Sequence, residues 1–260
     1  MYEFNLVKPG SIADAVSALA GDDAQALGGG QTLLPTMKQR LASPATLVSL
    51  TGISELVGVS SDGTTLTIGA GTTHATVAAE ATAYPALAAL AGNIGDPAVR
   101  NRGTIGGSLA NNDPSACYPA AALASGATIV TNTREIAADS FFQGMFTTAL
   151  EEGEIITAVK FPIPERANYQ KFVQPASRFA LVGVMVTKGS DGVRVAVTGA
   201  SEDGVYRWDA AEEALAANYS ADALNGVVES AAGKIADMHG TAEYRAHLIG
   251  VLAKRAVAAS

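Results

Sequence analysis

LGGGQTLLP (residues 27–35) and RNRGTIGGSLANNDPSACYPAA (residues 100–122) are the two stretches on which the reading of this chain turns. In the first, Gly28, Gly29 and Gly30 follow a short strand pattern at 25–27. A helix is predicted over 32–41, with Pro35 in the first turn, where the missing N–H costs nothing. The triplet therefore sits at a strand-to-helix turn. Glycine admits positive φ and lets the backbone approach a ligand closely. Successive amides at a helix start form a nest for an anion. A plain tight turn would also account for the triplet. The loop lacks the glycine spacing of the Rossmann fingerprint and the Gly-Lys-Ser/Thr ending of a P-loop, which argues against nucleotide hydrolysis.

The second stretch repeats the nest pattern with Gly106 and Gly107, flanked by the hydroxyls of Thr104 and Ser108. Asn111, Asn112 and Asp113 add amide and carboxylate groups suited to ribityl or ribose hydroxyls. Ile105, Leu109 and Ala110 are interleaved, which a merely solvated loop would not need. Residues 93–119 as a whole read as a long loop, a form that in a compact domain is either functional or an unrecognised element. Two nests and no phosphate-neutralising lysine suggest a diphosphate clamped by neutral amides. That suits a dinucleotide held for good better than a triphosphate that turns over.

Outward from these loops, residues 1–52 alternate between strand and helix signals. Strands are expected at 2–6, 25–27 and 46–50, with a capping pair at Ser11 and Asp14 before the run AVSALA. Residues 53–165 form a second unit. It has a strand at 65–69, a helix capped by Thr73 and running to Glu80, a helix at 85–91, and strands at 127–131 and 154–161. Pro162 and Pro164 mark its end. Residues 166–260 begin with strands at 179–187 and 193–197, joined by the hairpin signal Gly189-Ser190-Asp191-Gly192. After Trp208 the chain reads as helical to its end. The expectation is an α+β chain with a domain at 1–165 (subdomains 1–52 and 53–165) and a C-terminal α+β domain at 166–260.

Composition bounds the function. Apolar residues make up 48% and charged residues 16% of the 260, the profile of a folded globular chain. The net charge of −8, without a basic run, argues against nucleic acid as a partner. A single cysteine, Cys117, excludes an internal disulfide and any cluster held by several thiolates of this chain. His74, His239 and His247 show no metal-ligand spacing. No apolar run reaches the roughly 18 residues of a membrane span, and the first residues show no signal pattern. A soluble cytoplasmic protein that binds no metal itself is expected. His74 reads as a surface or cap residue, His247 as packing or a subunit contact, Trp208 as core or interface, and Cys117 as a small buried apolar residue.

GGGQTLLP and TIGGSLANNDP, in this order and spacing, resemble the FAD-binding subunit of the molybdenum hydroxylases. That family includes the medium subunit of aerobic carbon monoxide dehydrogenase and the flavin segment of xanthine dehydrogenase. NIGDPAVRNRG (93–103) and EYRAHL (243–248) extend the resemblance over essentially the whole chain. It implies a fold like that of the vanillyl-alcohol-oxidase flavoproteins, in which two α+β subdomains hold FAD and a C-terminal domain covers the flavin. Gly28, Gly29, Gly30, Gln31, Thr32, Leu33 and Leu34 would meet the pyrophosphate from one side, and Thr104, Ile105, Gly106, Gly107 and Ser108 from the other. The resemblance places Ile94 and Lys171 near the flavin, Asn111 in polar contact with the cofactor, and Ile156 at the adenine portion or the wall beside it. Phe179 falls where some relatives carry an aromatic residue beside the isoalloxazine. Many relatives carry an acid where this chain has Cys117. A thiol cannot replace a carboxylate acceptor, so that contact differs here or passes to Asp113.

The resemblance further implies that the chain is an electron-transfer subunit of an oxidoreductase. Substrate would be oxidised at a molybdenum cofactor in a large partner. Electrons would cross [2Fe–2S] clusters in a small partner, reach FAD here and leave to an external acceptor. The assembly would be a dimer of heterotrimers. Two other readings stay open at this level: a self-contained FAD-dependent oxidase, and a non-catalytic nucleotide-binding module. Reduction of the isolated chain by a small substrate would favour the oxidase. A tightly bound nucleotide without a flavin spectrum would favour the module.

Overall fold

The computed structural model describes residues 1–260 as three larger sheets and one two-stranded sheet, with helices packed against them. The first unit runs β1 (Asn5–Val7), α1 (Ile12–Leu19), β2 (Ala24–Leu27), α2 (Leu33–Lys38) and β3 (Thr46–Ser49). Its strands are parallel in the order β1-β3-β2. Ser11 caps α1 by accepting the Asp14 N–H at 3.1 Å, as the capping pattern requires. Ala15 and Leu19 of α1 pack on Val48 of β3 with Ile53, Leu56 and Ile155.

The second unit starts with β4 (Val59–Ser61), β5 (Thr65–Gly69), α3 (His74–Glu80) and α4 (Pro85–Gly92). It continues through α5 (Pro97–Arg100), α6 (Ile105–Asn111), α7 (Cys117–Ser125), β6 (Thr128–Thr131) and β7 (Glu135–Ala137). After α8 (Ala138–Phe141) and a small hairpin, β8 (Phe142–Gly144) and β9 (Thr147–Thr148), β10 (Ile156–Pro162) enters the sheet centre. The sheet is antiparallel in the order β4-β5-β10-β6-β7. Ile68, Leu87, Ile105, Leu109, Tyr118, Val159 and Phe161 belong to its core.

The expected long loop at 93–119 is corrected here: it holds α5, α6 and the start of α7. Its polar residues are caps. Asp96 accepts the Val99 N–H at 2.9 Å to start α5, and Thr104 accepts the Gly107 N–H at 3.1 Å to start α6. Asn112, at φ 43°, closes α6 in the left-handed conformation that ends many helices. Gly106 sits inside α6 because a Cβ there would stand 2.6 Å from the Ala70 Cβ and 2.8 Å from its carbonyl oxygen. The helix and the end of β5 touch backbone to backbone.

The third unit has β11 (Arg166–Val173), β12 (Ala180–Gly189), β13 (Gly192–Thr198) and β14 (Tyr206–Arg207), antiparallel in chain order, then α9 (Asp209–Ala217) and α10 (Ala242–Ala258). β12 and β13 join at the two-residue turn of the predicted hairpin, with Gly189 paired to Gly192. One face of this sheet, with Val184, Val186, Val195 and Val197, packs on Trp208, Leu215, Leu248 and Leu252. The other face sends Met185 and Ala196 into the core of the second unit. α7 lies between them: Thr187 Oγ1 donates to Ala124 O at 2.6 Å, and Thr198 Oγ1 to Ala116 O at 2.7 Å. Two expectations fail. The chain after Trp208 is not helical throughout, because 218–241 is irregular apart from a 3₁₀ turn at Ala221–Leu224. β11 was not anticipated either, since Asn168, Gln170 and Lys171 dilute its apolar alternation. His247 is exposed on α10 and packs against nothing within the chain's core.

Candidate functional site

A cleft of ≈ 560 Å³ receives residues from all three units, a size within the ~300–1,000 Å³ of small-molecule and cofactor sites. Its first wall is the turn after β2. None of the amide N–H groups from Gly28 to Thr32 hydrogen-bonds within the chain. Five successive donors are thus left without an intrachain partner. Gly30 holds φ at +72°, which favours glycine. A Cβ on Gly29 would fall inside the Arg102 carbonyl and stand 2.7 Å from the Gly103 Cα. One on Gly28 would stand 3.1 Å from Thr104 Oγ1. The two glycine loops therefore touch.

The second loop has the same letters and a different accounting. The amides of Ile105 and Gly106 donate to Thr72 O and Ala70 O at 3.1 and 2.9 Å. Those of Gly107 and Ser108 donate to Thr104 Oγ1 and Thr104 O at 3.1 and 3.0 Å. This corrects the expectation of a second open nest: the amides at the start of α6 are taken up by the fold. Gly106 instead lets α6 lie against Ala70, and Ser108 and Asn111, which line the cleft, carry side chains without intrachain partners.

Of the residues expected at the site, Gly28, Gly29, Gly30, Gln31, Thr32 and Leu33 line the cleft. So do Ile94, Thr104, Gly106, Gly107, Ser108, Asn111, Asp113, Cys117, Ile156, Lys171 and Phe179. Two do not. Leu34 packs back on Gly30, and Ile105 is fully buried in the core of the second unit. Asn112 is also displaced from its expected role: it is buried, and its Nδ2 donates to Gly144 O and Thr147 O at 2.7 and 2.9 Å, holding the β8–β9 hairpin.

The lining differs along the cleft. Leu27, Leu50, Ile155 and Ile156 make an apolar slot beside the open amides. Lys171, Cys117, Arg178 and Phe179 gather elsewhere. There Lys171 Nζ donates to Asn93 O at 2.6 Å and Arg178 O at 3.1 Å and lies 3.7 Å from Cys117 Sγ. The ammonium thus ties the α4–α5 connection to the β11–β12 turn. Cys117 is buried at 6% exposure, as a small apolar residue would be. Burial raises the Asp113 carboxyl, opposed by the Ser115 N–H that it accepts at 2.8 Å.

His74 was misplaced by the sequence reading. It is the first residue of α3 behind the Thr73 cap, yet it is 5% exposed and lines the cleft floor. Burial, with the Arg100 charge adding to it, lowers its pKa to about 4, so the ring is neutral at neutral pH. No group of three or more His, Cys, Asp or Glu side chains is placed to hold a metal ion, and no helix is long and apolar enough to cross a membrane.

Comparison with known proteins bears on this geometry. A family profile described as the FAD binding domain in molybdopterin dehydrogenase matches residues 2–164. The carbon monoxide dehydrogenase medium chain of Afipia carboxidovorans is 35% identical, over 98% of this chain and 95% of its own. The nicotine 6-hydroxylase medium subunit of Paenarthrobacter nicotinovorans is 35% identical, over 96% and 94%. In the structure of reconstituted CO dehydrogenase from Oligotropha carboxidovorans, a chain 33% identical superposes with a TM-score of 0.90, covering 99% of this chain and 97% of that one.

Proposed function

The chain belongs to the family of FAD-binding domains in molybdopterin dehydrogenases, as an oxidoreductase subunit, and from that premise we propose how its cleft is used. The observation that carries the proposal is the run of five unpaired amides from Gly28 to Thr32. At Gly28, Gly29 and Gly30, which are buried or half-buried, a donor without a partner is costly, so the run suits a bound anion. The diphosphate of FAD is that anion. Gly28, Gly29, Gly30, Gln31 and Thr32 hold it from above, while the start of α6, packed on Ala70 at Gly106, forms the floor with Thr104. Ser108 and Asn111 hydrogen-bond the sugar and ribityl hydroxyls. The Leu27, Leu50, Ile155 and Ile156 slot takes the adenine, and Ile94, Lys171, Cys117, Asp113 and Phe179 surround the flavin ring.

FAD supplies the redox chemistry when bound, and the protein supplies position and electrostatics. Lys171, whose Nζ donates to Asn93 O and Arg178 O beside Cys117 Sγ, fixes the elements around the ring in place. Phe179, half exposed, lines the cleft and offers its ring as a wall beside the flavin.

The finer organisation follows the same premise. Residues 1–165 form a vanillyl-alcohol-oxidase-type FAD-binding fold with subdomains 1–52 and 53–165, and residues 166–260 form a domain like the C-terminal domain of CO dehydrogenase flavoproteins. The chain receives electrons from the [2Fe–2S] clusters of a small partner, fed by a large molybdenum-cofactor partner, and passes them to an external acceptor in the cytoplasm. The medium-chain and medium-subunit descriptions of its relatives support a large and a small partner, and the assembly is taken as a doubled heterotrimer. Tyr244 and His247, exposed on α10, with Phe172 edge-on to Tyr244 at 6.1 Å, form the proposed partner-facing patch.

Expressed with its genomic neighbours, the chain should elute as one complex carrying one FAD per copy, and substrate should bleach the flavin. After denaturation and filtration the flavin should pass into the filtrate. A complex without flavin contradicts the proposal. A lone chain that turns over substrate by itself replaces it with the oxidase reading.

A further inference from the structure

His74 is a buried polar side chain for which the fold offers no partner. Its Nδ1 is sealed from solvent without a hydrogen bond, and Nε2, which also makes none, is not sealed. The ring stands on the cleft floor, 5.3 Å from the Tyr118 ring. A Cβ on Gly103 would stand 2.5 Å from Nε2, and one on Gly29 would stand 2.7 Å from the Gly103 Cα. His74, Gly103 and Gly29 thus stack where the two glycine loops meet. A packing histidine in a protein core ordinarily finds a partner for at least one nitrogen, because an unpaired buried polar group costs free energy. An apolar residue would fill this space without that cost.

We propose that His74 binds the dinucleotide, donating from Nε2 to a diphosphate oxygen; this rests on the FAD reading of the cleft. The tautomer follows from the surroundings. A neutral imidazole has one N–H. On Nδ1 that proton would be sealed away from every acceptor, whereas Nε2 is not sealed and the residue lines the cleft. Burial, with the neighbouring Arg100 charge adding to it, disfavours a second proton. The first loop supplies donors from the backbone above, and His74 supplies one from a side chain below.

The test uses the full chain, expressed with its partners, stripped of nucleotide and titrated with FAD and with ADP, which carries the diphosphate but no flavin. His74→Leu should weaken both ligands by about 10- to 100-fold, the range for a hydrogen bond to a charged acceptor. Its nucleotide-free melting temperature should hold or rise, because an unpaired buried polar group has been removed. His74→Gln, whose Nε2 can occupy the same place, should recover most of the loss. In the wild-type chain, labelled histidine should show an Nε2-protonated tautomer whose Nε2 resonance shifts when ADP is added, a readout that does not depend on any variant folding. Unchanged affinity in His74→Leu overturns the proposal. Weakened FAD with unchanged ADP also overturns it, because the contact would then lie at the flavin. So does a resonance indifferent to ADP. A wild-type chain that takes neither nucleotide contradicts the flavoprotein reading itself, and this inference with it.

Discussion

Residues 28–32 and 105–108 carry the same signal, clustered glycines at the start of a helix, and the molecule uses them in opposite ways. In the first loop the amides are left without partners, and Gly28 and Gly29 let the backbone at Arg102 and Gly103 and the Thr104 side chain come close. In the second the amides are satisfied by Thr72, Ala70 and Thr104, and Gly106 lets α6 lie against the end of β5. A glycine cluster therefore reports close backbone approach, and only the hydrogen-bond accounting tells whether the neighbour is a ligand or the protein itself. This is why the paired loops are specific as a pattern: one is the nest, and the other is the floor that holds it in place.

The largest effect should come from Gly29→Val. Its side chain has no room beside Arg102 and Gly103, and both are backbone that cannot swing away. The two loops must part, with loss of bound flavin and a drop in melting temperature together. Flavin content and thermal melts on one preparation check this. Retained flavin with an unchanged melt would show that the loops do not touch.

Next in size is the pH dependence set by His74 between the loops. Its folded pKa is about 4 against an ordinary value near 6.5. A histidine whose pKa is depressed by folding contributes stability that is fully present above pH ~6.5 and is lost as pH falls toward ~4, where the unfolded chain binds the proton first. The wild-type chain should lose up to about 3 kcal/mol across that window relative to His74→Gln. Urea titrations at pH ~4 to ~7 measure it. Parallel stability curves for the two chains would place His74 in water.

Gly106→Ala should follow, costing roughly 1–3 kcal/mol by overpacking against Ala70, with flavin lost only as the fold is lost. Gly107→Ala should be smallest. That position is exposed, and its Cβ would meet only Thr104 Oγ1, at 3.0 Å. Its stability should stay within about 0.5 kcal/mol of wild type by denaturant unfolding. A larger loss at Gly107 than at Gly106 would reverse the assignment of the second loop to the floor.

Legibility in the sequence followed the range of the interactions involved. Ser11 with Asp14, Thr73 before α3 and Gly189 to Gly192 are local devices, and each element they predict is present within a few residues. The cleft lining was legible because the glycine loops carry it and family resemblance extends it to Ile94, Lys171 and Phe179. α5 and α6 were not, because Asp96, Thr104 and Gly106 read as loop residues until their partners Val99, Gly107 and Ala70 are known. β11 was hidden because its residues Asn168 and Gln170 carry no apolar alternation, and its strand state comes from pairing with β12. His74 was hidden for the same reason: what buries it is Gly103 and Tyr118, both distant in sequence.

Hydrogen exchange of the nucleotide-free and FAD-loaded chain tests the central contrast most directly. Amides 28–32 should exchange freely without FAD and become protected with it, while amides 105–108 should be protected in both states. Protection gained at 105–108, with 28–32 exchanging freely throughout, would contradict it and make the second loop the nest.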